Sequence, residues 1–524
     1  MIRLNLRLRR RFIIIWCLCL WGLLTVFPPA YESYYPTPES RETFLAGMQA
    51  NAGMSAVYGP LEAPASLGQL VAWEAGGLLL ILGAVMAVLM VTGLHRKSEH
   101  LGYTELQLST GISRLAPAGA ALAATTIAAV IMGLGCGITL WASQLWVPEM
   151  TTSGAVAFGV TTTLAMVGSA LLAQIAMLFV SNAHSVGRVG LLTVALSFLI
   201  RAVADAQELG WLNWLSPLGW KTVIAPYLDD DLGSAALLAL VCLAAGAVVL
   251  GAERTRDNDT AMIHVPHRTR HRPRRINGMA HLATILSWAS ILTWVIVIFG
   301  LAAFLVALTG SLSGWMEADE SIGQVFDEMF GSGDMKTEFI VYVAKLLGIL
   351  VATTGIQTVV SFHSGEKDGT VDLLRSTGIR RWAPYGSYTL VACVGVLLAT
   401  VGLWAGSWLG LVTQDSTVAQ DFDTAVPAAW SQAGPALLLT GIAVALVGLA
   451  PRLAQMAWAP VAAATLLTLF GPLFKAPQWM IDLSPFEYVV RPDEGSWGVH
   501  GAMVAAAIAL ILIGLYGAQH REVH

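Results

Sequence analysis

The chain is 524 residues long, 56% hydrophobic and only 12% charged, with a mean hydropathy of +0.66. Soluble globular domains carry about 25% charged residues, so this composition excludes that class and requires a chain that folds largely in lipid. The formal charge of -5 singles out no partner, because a membrane protein sorts its charges by side rather than by total. All five cysteines fall in apolar runs without a CxxC spacing, so neither a disulfide nor a metal site is expected.

A bilayer core about 30 Å thick is crossed by roughly 20 apolar residues in a helix, and the chain offers twelve such runs. The first covers 12–28. Arg9, Arg10 and Arg11 precede it as in a secretory signal, but Pro28, Pro29 and Ala30 offer no small-x-small cleavage site, so the helix is expected to be retained. The loop 30–69, with Tyr31, Tyr34, Tyr35, Pro36 and Pro38, is expected to pack as an outer cap. Runs at 71–94, 117–143, 154–181, 189–205 and 232–251 complete a set of six. A polar, basic stretch follows, and a second set occupies 282–309, 339–362, 384–412, 432–450, 455–475 and 498–517. The expected organisation is therefore a six-helix half at 1–253, a linker at 254–281 and a second half at 282–524. The fifth and eleventh runs are the least regular, interrupted by Arg201 and by Gly471 with Pro472.

Lys and Arg gather before the first run, after the second (Arg96, Lys97, Arg114), in the linker, and after the eighth (Lys367, Arg375, Arg380, Arg381). Glu317, Asp319, Glu320, Asp327, Glu328 and Asp334 share one loop on the other side. The positive-inside bias assigns both termini and the linker to the cytoplasm of a plasma membrane. An even number of spans per set makes the halves parallel repeats. The basic linker is either a solvated inner segment or a surface for anionic lipid headgroups.

The two sets also repeat in sequence. Glu99 to Pro117 recurs as Glu366 to Pro384, both reading ExxGxxxLxxSTGIxRxAP at an offset of 267, and Trp211, Leu215, Ser216 and Pro217 recur as Trp479, Leu483, Ser484 and Pro485 at 268. Two segments so far apart that keep one spacing mark the duplication of a whole structural unit. Glu99, Gly102 and Leu106, like Glu366, Gly369 and Leu373, are expected near one face of a short helix, with Glu105 and Asp372 beside them. A turn at Gly111 or Gly378 and a stop at proline close a compact cytoplasmic knob. Each knob is either a docking element for a symmetric partner or an interfacial amphipathic helix closing a hairpin.

Residues 363–382, HSGEKDGTVDLLRSTGIRRW, resemble the segment after the second membrane helix in permeases of the type V ABC exporter family, where E(x)xG(T)xxLLxxxGIxR is frequent. Residues 198–227, FLIRAVADAQELGWLNWLSPLGWKTVIAPY, are similar to the fifth helix and outer region of fused two-half bacterial permeases assigned to export of polyketide antibiotics and other drugs. The fold this resemblance implies is an all-α polytopic membrane protein, with twelve transmembrane helices in two parallel six-helix repeats and short interfacial and re-entrant helices. The knobs become coupling helices, with Glu99, Gly102, Glu105, Leu106, Gly111 and Arg114 in one and Glu366, Gly369, Asp372, Leu373, Gly378 and Arg381 in the other. Their implied partner is an ABC ATPase subunit, two copies per chain. ATP and Mg are expected on that partner, because the chain has no GxxxxGK[ST] loop and no cytoplasmic segment long enough for a nucleotide-binding domain. His100, Leu101 and Tyr103 depart from the family pattern, which puts equal docking by the two knobs in doubt.

A charge at mid-bilayer costs roughly 2.5–3.5 kcal/mol on insertion scales, so it tends to find a partner or water. Glu74 and Lys345 lie early on symmetry-related helices and are expected either to pair across the halves as an outer gate or to snorkel to headgroups. Arg201 and Asp205, four apart on one helix, either cancel locally or touch the substrate path; Leu469 and Leu473 are taken as their equivalents. Gln174 and Gln357 either line that path or make interhelical hydrogen bonds, the role that suits both better. Trp211, Trp214, Pro217, Trp479, Pro485 and Phe486 form either an aromatic belt or re-entrant segments that narrow the exit. The alternatives to an ATP-driven drug exporter are a lipid-exporting ABC permease and an ion-coupled secondary drug transporter. A membrane enzyme ranks last, since no HExxH or other catalytic constellation is present, and no nucleic acid partner is expected.

Overall fold

A computed structural model describes residues 1–49, 58–179, 183–256, 262, 276–307, 309, 335–367, 369–376, 378–413, 418–470, 477–491 and 497–520. Every regular element among them is a helix. The chain forms two compact units, Met1–Thr269 and Arg270–His524, and the division falls within the basic stretch between the two sets of runs.

In the first unit the long helices are α1 (Ile2–Tyr34), α3 (Leu67–Leu94), α6 (Ala116–Ala142), α7 (Thr152–Met177), α8 (Ala183–Ala206) and α11 (Leu232–Thr255). Short elements α2 (Pro38–Gln49), α4 (Arg96–His100), α5 (Tyr103–Leu108), α9 (Gly210–Asn213) and α10 (Trp220–Ile224) join them. The second unit repeats the plan with α12 (Met279–Ala307), α13 (Met335–Lys367), α14 (Thr370–Arg375), α15 (Ala383–Val412), α16 (Val418–Ser431), α17 (Ala433–Leu449), α18 (Trp458–Phe470), α19 (Gln478–Ile481) and α20 (Gly498–His520). Among the described residues 11 helical stretches are long and apolar enough to cross a bilayer. The eleventh expected span, 455–475, contributes the 13 residues of α18, and 471–476 lie outside the described residues. The acidic loop from Glu317 to Asp334 and most of the linker also lie outside them.

Helix α1 corrects the boundary drawn from hydropathy. It continues through Pro28 and Pro29 to Tyr34 and buries Ile13, Cys17, Leu20, Leu24, Pro28 and Tyr31. Those positions are spaced three or four apart, so one stripe packs inward while the remaining apolar surface is left to lipid. Its far end meets the expected cap. Phe44 of α2 packs edge-on against Trp73, Tyr58 tilts against the same ring, and Trp73 Nε1 donates to Gly59 O at 2.7 Å. Arg41 anchors α2 to Glu149 at 2.6 Å.

Helix α7 is the most enclosed span, with 78% of its apolar window buried against 22% for α11. Small residues permit this, since lipid offers no hydrophobic drive between helices and contact depends on close backbone approach. A Cβ on Gly133 of α6 would lie 2.3 Å from Gly159 O of α7, so that crossing tolerates only glycine. With α7 held centrally, the two ends of α3 carry the functional candidates: the repeated motif at one end and the capped aromatic region at the other.

Candidate functional site

Each copy of the motif folds into the same small body. Gly102 and Gly369 both take φ 73°, and open α5 and α14. Gly111 and Gly378 close the two bodies at φ 83° and 82°. A Cβ clashes with the backbone in that left-handed region, so glycine sets both turns. The expectation that Glu, Gly and Leu share one face of a single helix is corrected here. Because Gly102 redirects the chain, Glu99 belongs to α4 and is buried, whereas Leu106 on α5 faces outward. In the second copy Glu366 occupies the last turn of α13 and Leu373 lies on α14.

The outward faces correspond residue for residue. Glu105, Leu106, Gly111 and Arg114 are exposed in the first knob, and Asp372, Leu373, Gly378 and Arg381 in the second. Leu106 is 69% exposed and Leu373 72%. Thr104 and Val371 are buried and seat the two helices. An outward leucine flanked by a carboxylate, with an arginine past the next turn, presents the same exposed surface twice.

Beneath the first knob lies a charge network that sequence reasoning missed. Arg256 Nη2 donates to both oxygens of Glu99 at 2.7 and 2.8 Å, and Arg256 Nε donates to Glu253 at 3.0 Å. Arg96 Nη1 donates to Glu99 at 2.8 Å, while its Nη2 donates to Met177 O at 3.0 Å. Burial opposes the charge on Arg256, but Glu99 and Glu253 outweigh it and raise its pKa above the ordinary value. In the second knob Arg375 Nη2 reaches Glu366 at 3.3 Å, and His363 Nδ1 lies 3.8 Å from the same carboxylate. The basic residues were visible in the sequence only as inner-side bias, because pairs across helices leave no periodic trace.

At the far end of the first unit, Arg201 Nε lies 3.3 Å from Asp205, and both side chains are fully buried. Asn213 of α9 donates to Asp205 at 2.7 Å. The local cancellation expected for this pair is therefore present. Lys221 of α10, which no motif marks, donates to Tyr58 O at 2.6 Å and Trp73 O at 2.9 Å, with Ala72 O at 3.4 Å. Burial and the neighbouring Arg201, against the attraction of Asp205, push its pKa down to about 7. Lys221 thus ties α10 to the cap and to α3.

The second unit braces its far end with side-chain charges. Lys345 donates to Glu487 at 2.5 Å, and Arg491 donates to Glu338 at 2.9 Å. Glu74 accepts from Tyr31 Oη. Glu74 and Lys345, expected either to pair across the halves or to snorkel to headgroups, thus each have a partner within their own unit. Gln357 makes the expected interhelical bond, accepting from Trp294 at 2.5 Å, whereas buried Gln174 has no hydrogen-bond partner among the described residues.

The aromatic segments repeat in detail. Ser216 Oγ donates to Ser197 O at 2.6 Å and Ser484 Oγ to Ala464 O at 3.2 Å. Trp211 and Trp479 are 64% and 67% exposed, Trp214 is exposed, Pro217 and Phe486 are buried, and Pro485 opens a 3-10 turn. These bonds correct the register on the fifth helix. Ser197 matches Ala464 at an offset of 267, so Thr468 rather than Leu469 stands where the first half has Arg201. The offset of 268 applies only beyond the loop, where the second half holds one extra residue.

Residues 276–519 match the family described as multidrug efflux system permease Rv1217c, C-terminal domain. Over 537 aligned positions the chain is 27% identical to the multidrug efflux system permease protein Rv1217c of Mycobacterium tuberculosis (strain ATCC 25618 / H37Rv), covering 100% of this chain and 94% of that protein. The resemblance to multidrug permeases holds along the whole chain. Both knobs and both aromatic segments fall inside the matched length.

Proposed function

We propose that the chain is the membrane-spanning permease subunit of an ATP-driven exporter in a bacterial plasma membrane. It moves hydrophobic or amphipathic compounds such as drugs outward, and a separate ABC ATPase, two copies per chain, hydrolyses ATP with Mg. The observation that carries this reading is the pair of knobs with equal backbone geometry and a matched exposed surface, since a symmetric motor needs two like footholds. On this reading the knobs and both termini are cytoplasmic. Closure of the ATPase dimer presses on Leu106 and Leu373, and the two halves alternate between inward-facing and outward-facing arrangements. Glu74, Lys345, Arg201 and Asp205 belong to the path or gate, and the Trp211 and Trp479 segments border the exit. An apolar groove of about 360 Å³ between α6 and α7, lined by Leu134, Ile138, Trp141 and Val156, favours substrates that partition into lipid, so lipid export is the second reading.

The chain purified from its native membrane is expected to bring an ATPase with it, and drug addition to stimulate ATP hydrolysis. Replacing Leu106 and Leu373 together by Asp leaves the fold intact, because both are exposed, and reduces that stimulation at least tenfold. Solute uptake by vesicles that hold only this chain, driven by a proton or sodium gradient without nucleotide, overturns the proposal. Stimulation by phospholipid and not by drugs selects the second reading.

A further inference from the structure

Glu74 is the only charged residue of α3, and it stands about 10 Å in from the helix start at Leu67 at roughly 1.5 Å per residue. A carboxylate at that depth of a membrane span is costly to hold without a counter-ion. Among the described residues none supplies one. Glu74 accepts from Tyr31 Oη, a neutral donor. The described Lys and Arg side chains at this far end of the first unit are engaged elsewhere: Arg41 with Glu149, Arg201 with Asp205, and Lys221 with the carbonyls of Tyr58 and Trp73. Lys345, a cation considered for Glu74 from the sequence, pairs with Glu487. Residues 50–57, outside the described ones, contain no Lys, Arg or His.

Aromatic rings gather around this carboxylate. From Phe27 a run of adjacent rings passes through Tyr31, Tyr35, Phe44 and Trp73 to Tyr58, with centroids 4.7–6.5 Å apart. Tyr58 continues over α3, where its Cδ1 lies 3.7 Å from the Cβ position of Gly77, three residues from Glu74. Glu74 itself is partly accessible, and so are Leu78, Leu82, Val85 and Leu89 after it. Their spacing of three or four residues makes one stripe along the helix, charged at its far end and apolar from there inward.

We infer that Glu74 receives the positive group of an amphipathic organic cation, whose apolar body lies along the stripe of α3 that begins at Leu78. Charge complementarity selects this occupant, because the carboxylate has no counter-ion of its own among the described residues. Aromatic faces add to the attraction when a cation comes within about 6 Å of a ring centre, and the Tyr31 ring is held at that distance scale by the bond from its hydroxyl to Glu74. The inference names a substrate class for the exporter proposed above and rests on that reading for transport, but binding belongs to this chain alone. Export of neutral compounds only, by a chain that binds no cation, sinks this inference and spares the motor; cation binding by a chain driven by an ion gradient does the reverse.

The test is saturable binding of tetraphenylphosphonium to the purified full-length chain in detergent, with empty micelles subtracted, beside tetraphenylborate, an anion of the same shape. The wild type is expected to bind the cation and to discriminate against the anion. Glu74→Gln keeps an acceptor oxygen for Tyr31 and removes the charge. It weakens cation binding roughly tenfold or more, the scale of a charge pair that loses one member, whereas Glu74→Asp, which keeps the charge, retains a measurable part of it. A general loss of folding cannot separate those two variants. Equal saturable binding of the two ions by the wild type overturns the inference without recourse to any variant, and so does cation binding by Glu74→Gln at the wild-type level.

Discussion

Lys221 offers the sharpest test of the far-end architecture, because its buried ammonium makes stability depend on pH with a known sign. Its pKa falls from an ordinary 10.5 to about 7, chiefly through burial. Between those limits the unfolded chain keeps the proton that the folded chain has shed, so unfolding free energy rises with pH. The cost of holding the charge is therefore full below pH 7 and is relieved as pH climbs toward 10.5. A displacement of about 3.5 pH units corresponds to about 5 kcal/mol at roughly 1.36 kcal/mol per unit. In Lys221→Met the donors to Tyr58, Trp73 and Ala72 are lost at every pH, but the titration disappears, so the difference between wild type and variant isolates this one group. Thermal unfolding in detergent, followed by tryptophan fluorescence from pH 7.5 to 9.5, measures that difference. The wild type is expected to gain on the order of 3 kcal/mol on the variant across the window, or roughly 5–10 °C in Tm for a unit of this size. A difference that stays flat, or falls as pH rises, refutes the buried lysine.

At the far end of the second unit, Lys345→Glu alone sets two carboxylates against each other, and adding Glu487→Lys should restore drug resistance and Tm; rescue by Glu74→Lys instead returns the partnership to the pair expected across the halves. Gly102→Ala and Gly369→Ala should each cost about 1 kcal/mol, and equally, since both hold φ 73° with nothing within 4 Å of an added Cβ; unequal losses of Tm contradict the identity of the two knobs. Ser216→Ala and Ser484→Ala each remove a buried hydroxyl bond worth about 1 kcal/mol. Thermal scans should show both variants destabilised, and no loss in either removes these bonds from the account of the aromatic segments.

The duplication, the medium and the place of the knobs were all legible in the residues alone, because each is carried by local pattern. An apolar run of bilayer length must be a helix that satisfies its own backbone in lipid. Repeated glycines at 102, 111, 369 and 378 require the same left-handed turns wherever the chain puts them. Pairing was not legible. Arg256 meets Glu99 across 157 residues and Lys221 meets Tyr58 across 163, and each arginine or lysine in isolation reads as side bias or as a stray charge. Which of them is buried, and against what, follows only when α7 draws the helices close enough to exclude water. Burial then turns a counter-ion into a structural bond, and the tertiary structure alone decides where that happens.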